Sequence, residues 1–434
     1  MPLPITSTRV AGTRQLFALQ DHSVLLLSIS LQLVLALLFG HYYDMRIFMA
    51  TGYLVGTGQN PYVAQDLTAV FNNSSFQGMT SVGYPPPWPL VLGLLYRGVY
   101  TVIPNLLVYN LAIKIPVVAA NICLAYLVAK VLKNLGADAA VSRRAWMFLL
   151  LNPFVLLFSS AWGQFDSVVA LLSLLGLVLL QAEKLESSAV LLALALSFKP
   201  TALPLFPIAL VYLLGKSLGQ TIRYAAVFLI SLLLFCVAPF IIFGWSPTPI
   251  LQNWNAHFTV AGDMSFMTYF ELLRNTYQLP GSWWLLGLAW MPALGVGILA
   301  LKPGSHGFVD LLKKSTALIL IFFLTRTWLS EPNVMLVLPF VLILTSIGEL
   351  DGFALAAVWI LPLVFGIFNT SPQQLLFPSF PEVMASMLKL AEDFRTARLV
   401  ARIALVIPWQ IVGWWIVIAC FRRGSTPAGG RQPD

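Results

Sequence analysis

The chain has 434 residues, of which 59% are hydrophobic and only 10% charged, with a formal net charge of +8. Soluble globular domains carry about 25% charged residues, so this composition excludes a soluble enzyme, and it equally excludes a disordered or collagen-like chain. With a mean hydropathy of +0.83, the sequence is that of a polytopic membrane protein. Cys123, Cys236 and Cys420 all lie in apolar runs with no CxxC, which reads as small core residues and not as a disulfide framework or zinc site. His22, His41, His257 and His306 are scattered and form no HExxH. The excess Lys and Arg fall between apolar runs, the bias of cytoplasmic loops, so the expected partner is membrane lipid and no nucleic acid.

Residues 1–22 read as a cytoplasmic segment, with Arg9 and Arg14 ahead of the first apolar run. That run, 23–40, is longer than a signal-peptide core and lacks an A-x-A site, so it is expected to remain as the first span. A polar stretch follows to residue 87. The run 88–103 is interrupted by Arg97 and closed by Pro104. A full crossing there would put Lys130, Lys133, Arg143 and Arg144 on the wrong side, so 88–103 is expected to be interfacial and 106–133 to be the second span. Further spans are predicted near 146–161, 167–182, 187–199, 202–215, 224–244, 283–301, 316–330, 334–348, 353–369 and 401–421. This makes an all-α polytopic bundle of about twelve transmembrane helices, with interfacial helices in the first outer loop. It forms one membrane domain over 23–421. Lys184, Lys216, Arg223, Lys302, Lys313, Lys314, Arg422 and Arg423 then fall on the cytoplasmic side. The outer side receives 43–105, 245–282 and 370–400, and 422–434 is a cytoplasmic tail. The segment 187–198 is short for a span, and Pro200, Pro204 and Pro207 follow at once. Broken helices are tolerated where the freed backbone lines a cavity or packs on protein.

Charges at bilayer depth are costly and mark function by default. Asp44 follows the first span in His-Tyr-Tyr-Asp-Met-Arg, ahead of an amphipathic stretch that Gly56 and Gly58 can end. It either caps that helix or serves as a fixed carboxylate. Trp162-Gly-Gln-Phe-Asp166 connects two apolar runs; Asp166 can cap the next helix, while Trp162, Gln164 and Asp166 together would line a polar site. Lys199 ends the broken span, where it either snorkels or meets an anion. Arg326 lies close to Glu331 and either pairs with it or stays free for a ligand. Lys114 sits inside the second span near Asn110 and needs a partner. Asp263, Glu271, Arg274, Glu392, Asp393, Arg395 and Arg398 read as solvated.

Carboxylates and cations at one set of helix ends suit transfer of a sugar from a lipid phosphate. A carboxylate takes the acceptor's hydroxyl proton, and fixed cations stabilise the departing phosphate. No Walker A or GxGxxG motif is present.

The stretch Tyr43-Asp44-Met-Arg-Ile-Phe48, with Asn60-Pro61-Tyr62 and Tyr84-Pro85-Pro86, resembles the first outer loop of the glycosyltransferase-C superfamily. It is similar in particular to polyprenyl-phosphate-mannose-dependent membrane enzymes and their prokaryotic relatives. Asn152-Pro153, Trp162-Gly-Gln-Phe-Asp166, Phe198-Lys199-Pro200 and Ser330-Glu331-Pro332-Asn333 continue the pattern over about residues 20–350. The resemblance implies a polytopic helical bundle and an inverting reaction, with a polyprenyl-phosphate sugar as donor. It implies Asp44 as the catalytic base, and Lys199 and Arg326, with Lys114, as ligands of the donor phosphate. Asp166, Gln164 and Glu331 are then expected as a second acidic or acceptor-binding group. The expected activity is transfer of a hexose, mannose first, to a glycan or glycolipid on the extracytoplasmic or lumenal side. No cofactor is expected, with a divalent metal left open. The membrane would be the plasma membrane of a prokaryote or the endoplasmic reticulum, and the triplets at Asn72, Asn73 and Asn369 would suit the latter. Two other readings share these features: a multi-span transporter or lipid-carrier flippase, and a non-catalytic subunit of the same fold.

Overall fold

The computed structural model describes residues 19–259, 261–277, 287–301, 307–370 and 372–422. Arg9, Arg14, Lys302, His306, Arg423, Ser371, the start of the 283–301 span and the tail from 424 lie outside the described residues. So do the side chains of Glu271 and Arg274.

The described chain is almost wholly helical. Six helices are long and apolar enough to cross a membrane: Asp21–Leu38, Leu106–Asn134, Ala139–Trp162, Leu218–Phe243, Gly352–Asn369 and Arg395–Phe421. Each covers a span predicted from the apolar runs. Shorter apolar helices lie between them, at Asp166–Gln181, Leu185–Phe198, Pro200–Leu214, Trp290–Ala300 and Glu331–Ser346. Many large apolar side chains point outward, among them Leu26, Leu27, Ile241, Val296 and Leu299. Water would not tolerate so wide an apolar exterior, whereas lipid would.

Helix starts follow from local chemistry. Asn105 Oδ1 accepts from the backbone N–H groups of Leu107 and Val108, Asn152 Oδ1 from Phe154 and Asp351 Oδ1 from Phe353. These side chains satisfy donors that the first helical turn leaves unpaired. At 88–103 the chain forms an α-helix only over Pro87–Leu95, then a π-turn at Tyr96–Tyr100. The whole helical stretch Pro87–Tyr100 reaches ~20 Å at about 1.5 Å per residue, and it packs on Tyr42–Gly56. A second π-helix, Leu156–Trp162, ends the helix begun at Ala139. Its Ser160 donates to Gln32 Oε1, which also accepts from Asn121, while Gln32 Nε2 donates to Ser28.

Successive helices alternate in direction, so one end of the bundle gathers a set of termini. The ends of Leu19–Leu38, Leu156–Trp162, Leu185–Phe198 and Gly352–Asn369 meet the starts of Tyr42–Gly56, Leu106–Asn134, Asp166–Gln181 and Arg395–Phe421. The opposite end carries the basic loops, tied by the pairs Arg143–Asp21, Lys216–Glu183, Arg223–Glu186 and Lys313–Glu349. Among the described residues the strand content is one parallel pair of two-residue strands, Gly262–Asp263 beside Trp328–Leu329. It draws two distant segments to the first end.

Candidate functional site

Asp44 lies in the first turn of Tyr42–Gly56, whose N-cap is His41 and not Asp44 itself. The Asp44 carboxylate faces Trp162 and Gln164 across the bundle. Trp162 Nε1 and Gln164 Nε2 both donate to Oδ2, the latter at 2.7 Å, and His41 Nδ1 lies 3.2 Å from the same oxygen. Burial pushes this carboxyl up. The His41 ring and the bonds from His41, Trp162 and Gln164 more than reverse that, so it sits below its ordinary range and is ionised at neutral pH. The loop that delivers Trp162 and Gln164 turns at Gly163, with φ +100°, a conformation that favours glycine. A Cβ there would also stand 2.8 Å from Lys114 Cε and 2.5 Å from Met45 Sδ.

Gln164 joins Asp44 to a second group. Its Oε1 lies 3.5 Å from Lys199 Nζ, which donates to both oxygens of Asp166 at 2.8 Å. Asp166 begins its helix but makes no capping bond; it is the buried partner of a buried cation. Aromatic rings close the space: Trp88 stacks on Phe165 at 4.4 Å, and the ammonium lies 5.4 Å from the centres of Tyr84 and Phe165. Burial, reinforced by Asp44 and Asp166, holds the Tyr84 phenol well above its usual range, so it stays a neutral O–H. Directly after Tyr84, Pro85 and Pro86 form one wall of an apolar cavity of about 480 Å³. Phe240, Ile241, Trp245 and Trp254 line its other side.

The remaining expected residues are placed differently. Glu331 does not pair with Arg326: its Oε1 accepts from Asn369 Nδ2 at 2.9 Å and its Oε2 faces Ser330. The same Asn369 amide donates to Asp263 at 3.0 Å, and Arg402 donates to Asn369 Oδ1. Asp263 is therefore no solvated loop residue. Burial first of all, with Asp44 nearby, pushes its carboxyl up to about 6 against the bonds from Asn369 and Trp328 and the charge of Arg402. Arg398 is also engaged, donating to the backbone carbonyls of Phe368 and Asn369. Arg326 lies over the Phe322 ring, 5.0 Å from its centre, and its buried Nη1 has no hydrogen-bond partner among the described residues. Lys114 is fully buried and donates to the carbonyls of Ala36, Phe39 and Ala161. It ties two helix ends together behind Asp44, and among the described residues it has no anionic partner.

Of the residues nominated from the sequence, the fold brings Asp44, Gln164, Asp166 and Lys199 into one connected group and sets Glu331 apart, in a second with Asp263; the sequence reading puts Glu331 with the first and leaves Asp263 solvated. It misses His41, Tyr84, Asp263, Asn369 and Arg402. Tyr84 stood in a noted motif and Asn369 in a noted triplet, but neither pattern predicts the contact each makes. Among the described residues, no group of three or more His, Cys, Asp or Glu is placed to hold a metal ion. A scan against models of known protein families finds no match to this chain, and a search of curated proteins finds no significant relative.

Proposed function

We propose that this protein is a membrane glycosyltransferase. It would move a hexose from a polyprenyl-phosphate donor to a glycan or glycolipid acceptor with inversion at the anomeric carbon. The observation that carries this reading is the arrangement at Asp44. Its contacts converge on Oδ2, and among the described residues no side chain or backbone N–H donates to Oδ1. A pinned, ionised carboxylate with one open oxygen suits a general base. In the proposed step an acceptor hydroxyl loses its proton to Oδ1 as its oxygen attacks the anomeric carbon. The bond from that carbon to phosphate oxygen breaks, and the phosphate leaves with the electron pair.

Two further features support the donor class. The apolar cavity behind Pro85 and Pro86 offers room for part of an isoprenoid chain, and it adjoins Tyr84, whose ring faces Lys199. Lys199 gives two bonds to Asp166 and makes only a 3.5 Å contact with Gln164, so one N–H remains for a phosphate oxygen. Arg326, with its unpartnered Nη1, supplies a second cation. Lys114 drops out of this role because carbonyls take its donors. The reading places the site on the extracytoplasmic or lumenal side. It counts about twelve crossings, adding Phe308–Thr325 and the shorter apolar helices to the six long ones.

Purified protein in liposomes, given radiolabelled polyprenyl-phosphate mannose and extracted lipids, should label a product. Asp44→Asn should abolish the label while melting is unchanged. Absence of any transferred label with mannose, glucose and galactose donors would defeat the reading. One observation favours a transporter: the break between Leu185–Phe198 and Leu205–Leu214, where Lys199 sits. Movement of labelled lipid across the bilayer without bond cleavage would establish that reading instead. Single cysteines test sidedness: at Asn72 an impermeant thiol reagent should react from outside, and at Asp138 or Lys216 it should not.

A further inference from the structure

The helix Pro381–Asp393 divides its surface three ways. Met384, Leu388 and Ala391 recur at four- and three-residue spacing and turn toward the bundle. Met384 is buried and Leu388 packs on the core. Glu382, Ser386, Lys389 and Asp393 follow the same rhythm on a second face and are exposed. Val383, Met387, Leu390 and Phe394 make a third stripe by the same spacing. These four are apolar, yet they are 37% to 58% exposed. Water penalises a continuous apolar row of this kind.

Both ends of this helix are tied at the level where spans end. Just before its first turn, Ser379 Oγ donates to the Leu38 carbonyl, and the Phe380 ring lies 6.4 Å from that of Phe39, at the close of Leu19–Leu38. Just after its last turn, Arg398 donates to the carbonyls of Ala391, Phe368 and Asn369. That staples the helix to the end of Gly352–Asn369 and to the start of Arg395–Phe421. Thirteen residues reach ~20 Å, and a helix held so at both ends lies across the ends of the spans and not along them. Apolar side chains face outward beside it, Ile367 and Phe368 on one span and Val400 on the other, so the stripe continues the lipid-facing exterior. We infer that Pro381–Asp393 is an in-plane membrane helix, with Val383, Met387, Leu390 and Phe394 seated in lipid at the boundary between headgroups and acyl chains. Its polar residues include three carboxylates and one ammonium, the reverse of the basic helices that anionic lipids attract. Apolar burial therefore holds it, and an uncharged phospholipid serves as well as an anionic one. A second copy of the chain could also cover such a stripe; the level of the helix and the apolar exterior that adjoins it favour lipid.

Spin labels test this in the full chain. In a Cys123→Ala, Cys236→Ala, Cys420→Ala background, nitroxides are attached to Val383→Cys, Met387→Cys and Leu390→Cys, and separately to Ser386→Cys, Lys389→Cys and Asp393→Cys. In phosphatidylcholine liposomes, relaxation by oxygen, which partitions into lipid, should dominate at the first three, at a depth of about 5–10 Å. Relaxation by a water-soluble nickel chelate should dominate at the other three. Adding phosphatidylglycerol should leave the depth unchanged. Nickel access at all six positions overturns the proposal, because the stripe then lies in water. Protection of the first three from both reagents, relieved as protein is diluted with lipid, assigns the stripe to a second copy and also overturns it. A depth that appears only with phosphatidylglycerol overturns the apolar account of what holds the helix. Wild-type protein supplies a second measurement that needs no substitution, and it decides alone if the cysteine-free chain fails to insert. A phospholipid carrying an aryl-diazirine near the glycerol end of one acyl chain is photolysed in the liposomes, and adducts are mapped by mass spectrometry. Adducts at Val383, Met387 and Leu390 uphold the assignment; loss of labelling over 381–394 while the spans are labelled overturns it. Sugar transfer plays no part in either measurement.

Discussion

Lys199 and Lys216 each pair with a carboxylate 33 residues earlier in the chain, Asp166 at 2.8 Å and Glu183 at 3.0 Å. The contacts look alike, but their surroundings differ. The side chains of the first pair are 8% and 3% exposed; those of the second are 25% and 76% exposed. An exposed pair contributes about 0–1 kcal/mol. A buried pair gains little over an apolar substitute, yet breaking it on one side costs ~3–5 kcal/mol. An apolar pair of similar volume would serve stability about as well as Lys199 and Asp166 do. The comparison shows where the proposed function would have a use for charge that stability alone does not supply.

The largest effect should come from breaking the buried pair on one side. Lys199→Met leaves Asp166 buried without its cation and should lower unfolding free energy by ~3–5 kcal/mol, whereas Lys199→Met combined with Asp166→Leu should recover most of it. Thermal melts in detergent read both; a double variant as unstable as the single one would mean that the pair's electrostatics are not the issue. Next comes Asp44→Asn, expected to cut turnover ~10²-fold or more, about 2.7 kcal/mol of barrier, with little change in melting. Arg326→Ala should also slow turnover, on the order of 10²-fold, by acting on kcat more than on the donor's KM. Arg326→Lys should restore little if the contact is bidentate. Full rescue by Lys would reduce Arg326 to a point charge.

A smaller effect tests the second cluster. The Asp263 carboxyl is held at about 6 in the folded chain, above the ordinary value near 3.9. A raised carboxyl favours the protonated folded state. Its contribution is thus most favourable below about pH 4 and is lost as pH rises through 6. Wild type should melt lower at pH 8 than at pH 5, and Asp263→Asn should flatten part of that slope; an unchanged slope would show that Asp263 carries no such strain. Smallest of all, Lys216→Ala should shift stability by no more than about 1 kcal/mol.

How much of this was legible in the sequence follows the same division. The six long helices can be read from apolar run lengths and from basic loops. Asp44, Gln164, Asp166 and Lys199 can be nominated because each sits at a helix end that the alternation of spans brings to one side. Partner choice is another matter. Glu331 lies five residues from Arg326, yet it is bound by Asn369, 38 residues later. Asp263 looks like part of a polar loop until two residues of strand pair it with Trp328–Leu329. Lys114 finds carbonyls contributed by two other helices. Periodicity reports which face of one helix is apolar; it holds no information on which distant residue fills the space opposite. His41 was missed for the same reason, since its ring meets Trp162 and Gln374, both far away in the chain.

The π-helix at Leu156–Trp162 sets the aim of the indole. A wider turn takes up one more residue than the α-helix that it interrupts. Everything beyond it is rotated by about 100°, the angle one residue subtends on an α-helix. Trp162 meets Asp44 from the far end of that turn, and Gly163, which follows it, clears Lys114 because it has no Cβ. Deleting one residue between Leu156 and Ser159 would leave composition, charge and hydropathy nearly untouched. It should nevertheless swing the indole away from the carboxylate and silence the site in a bundle that still inserts and folds.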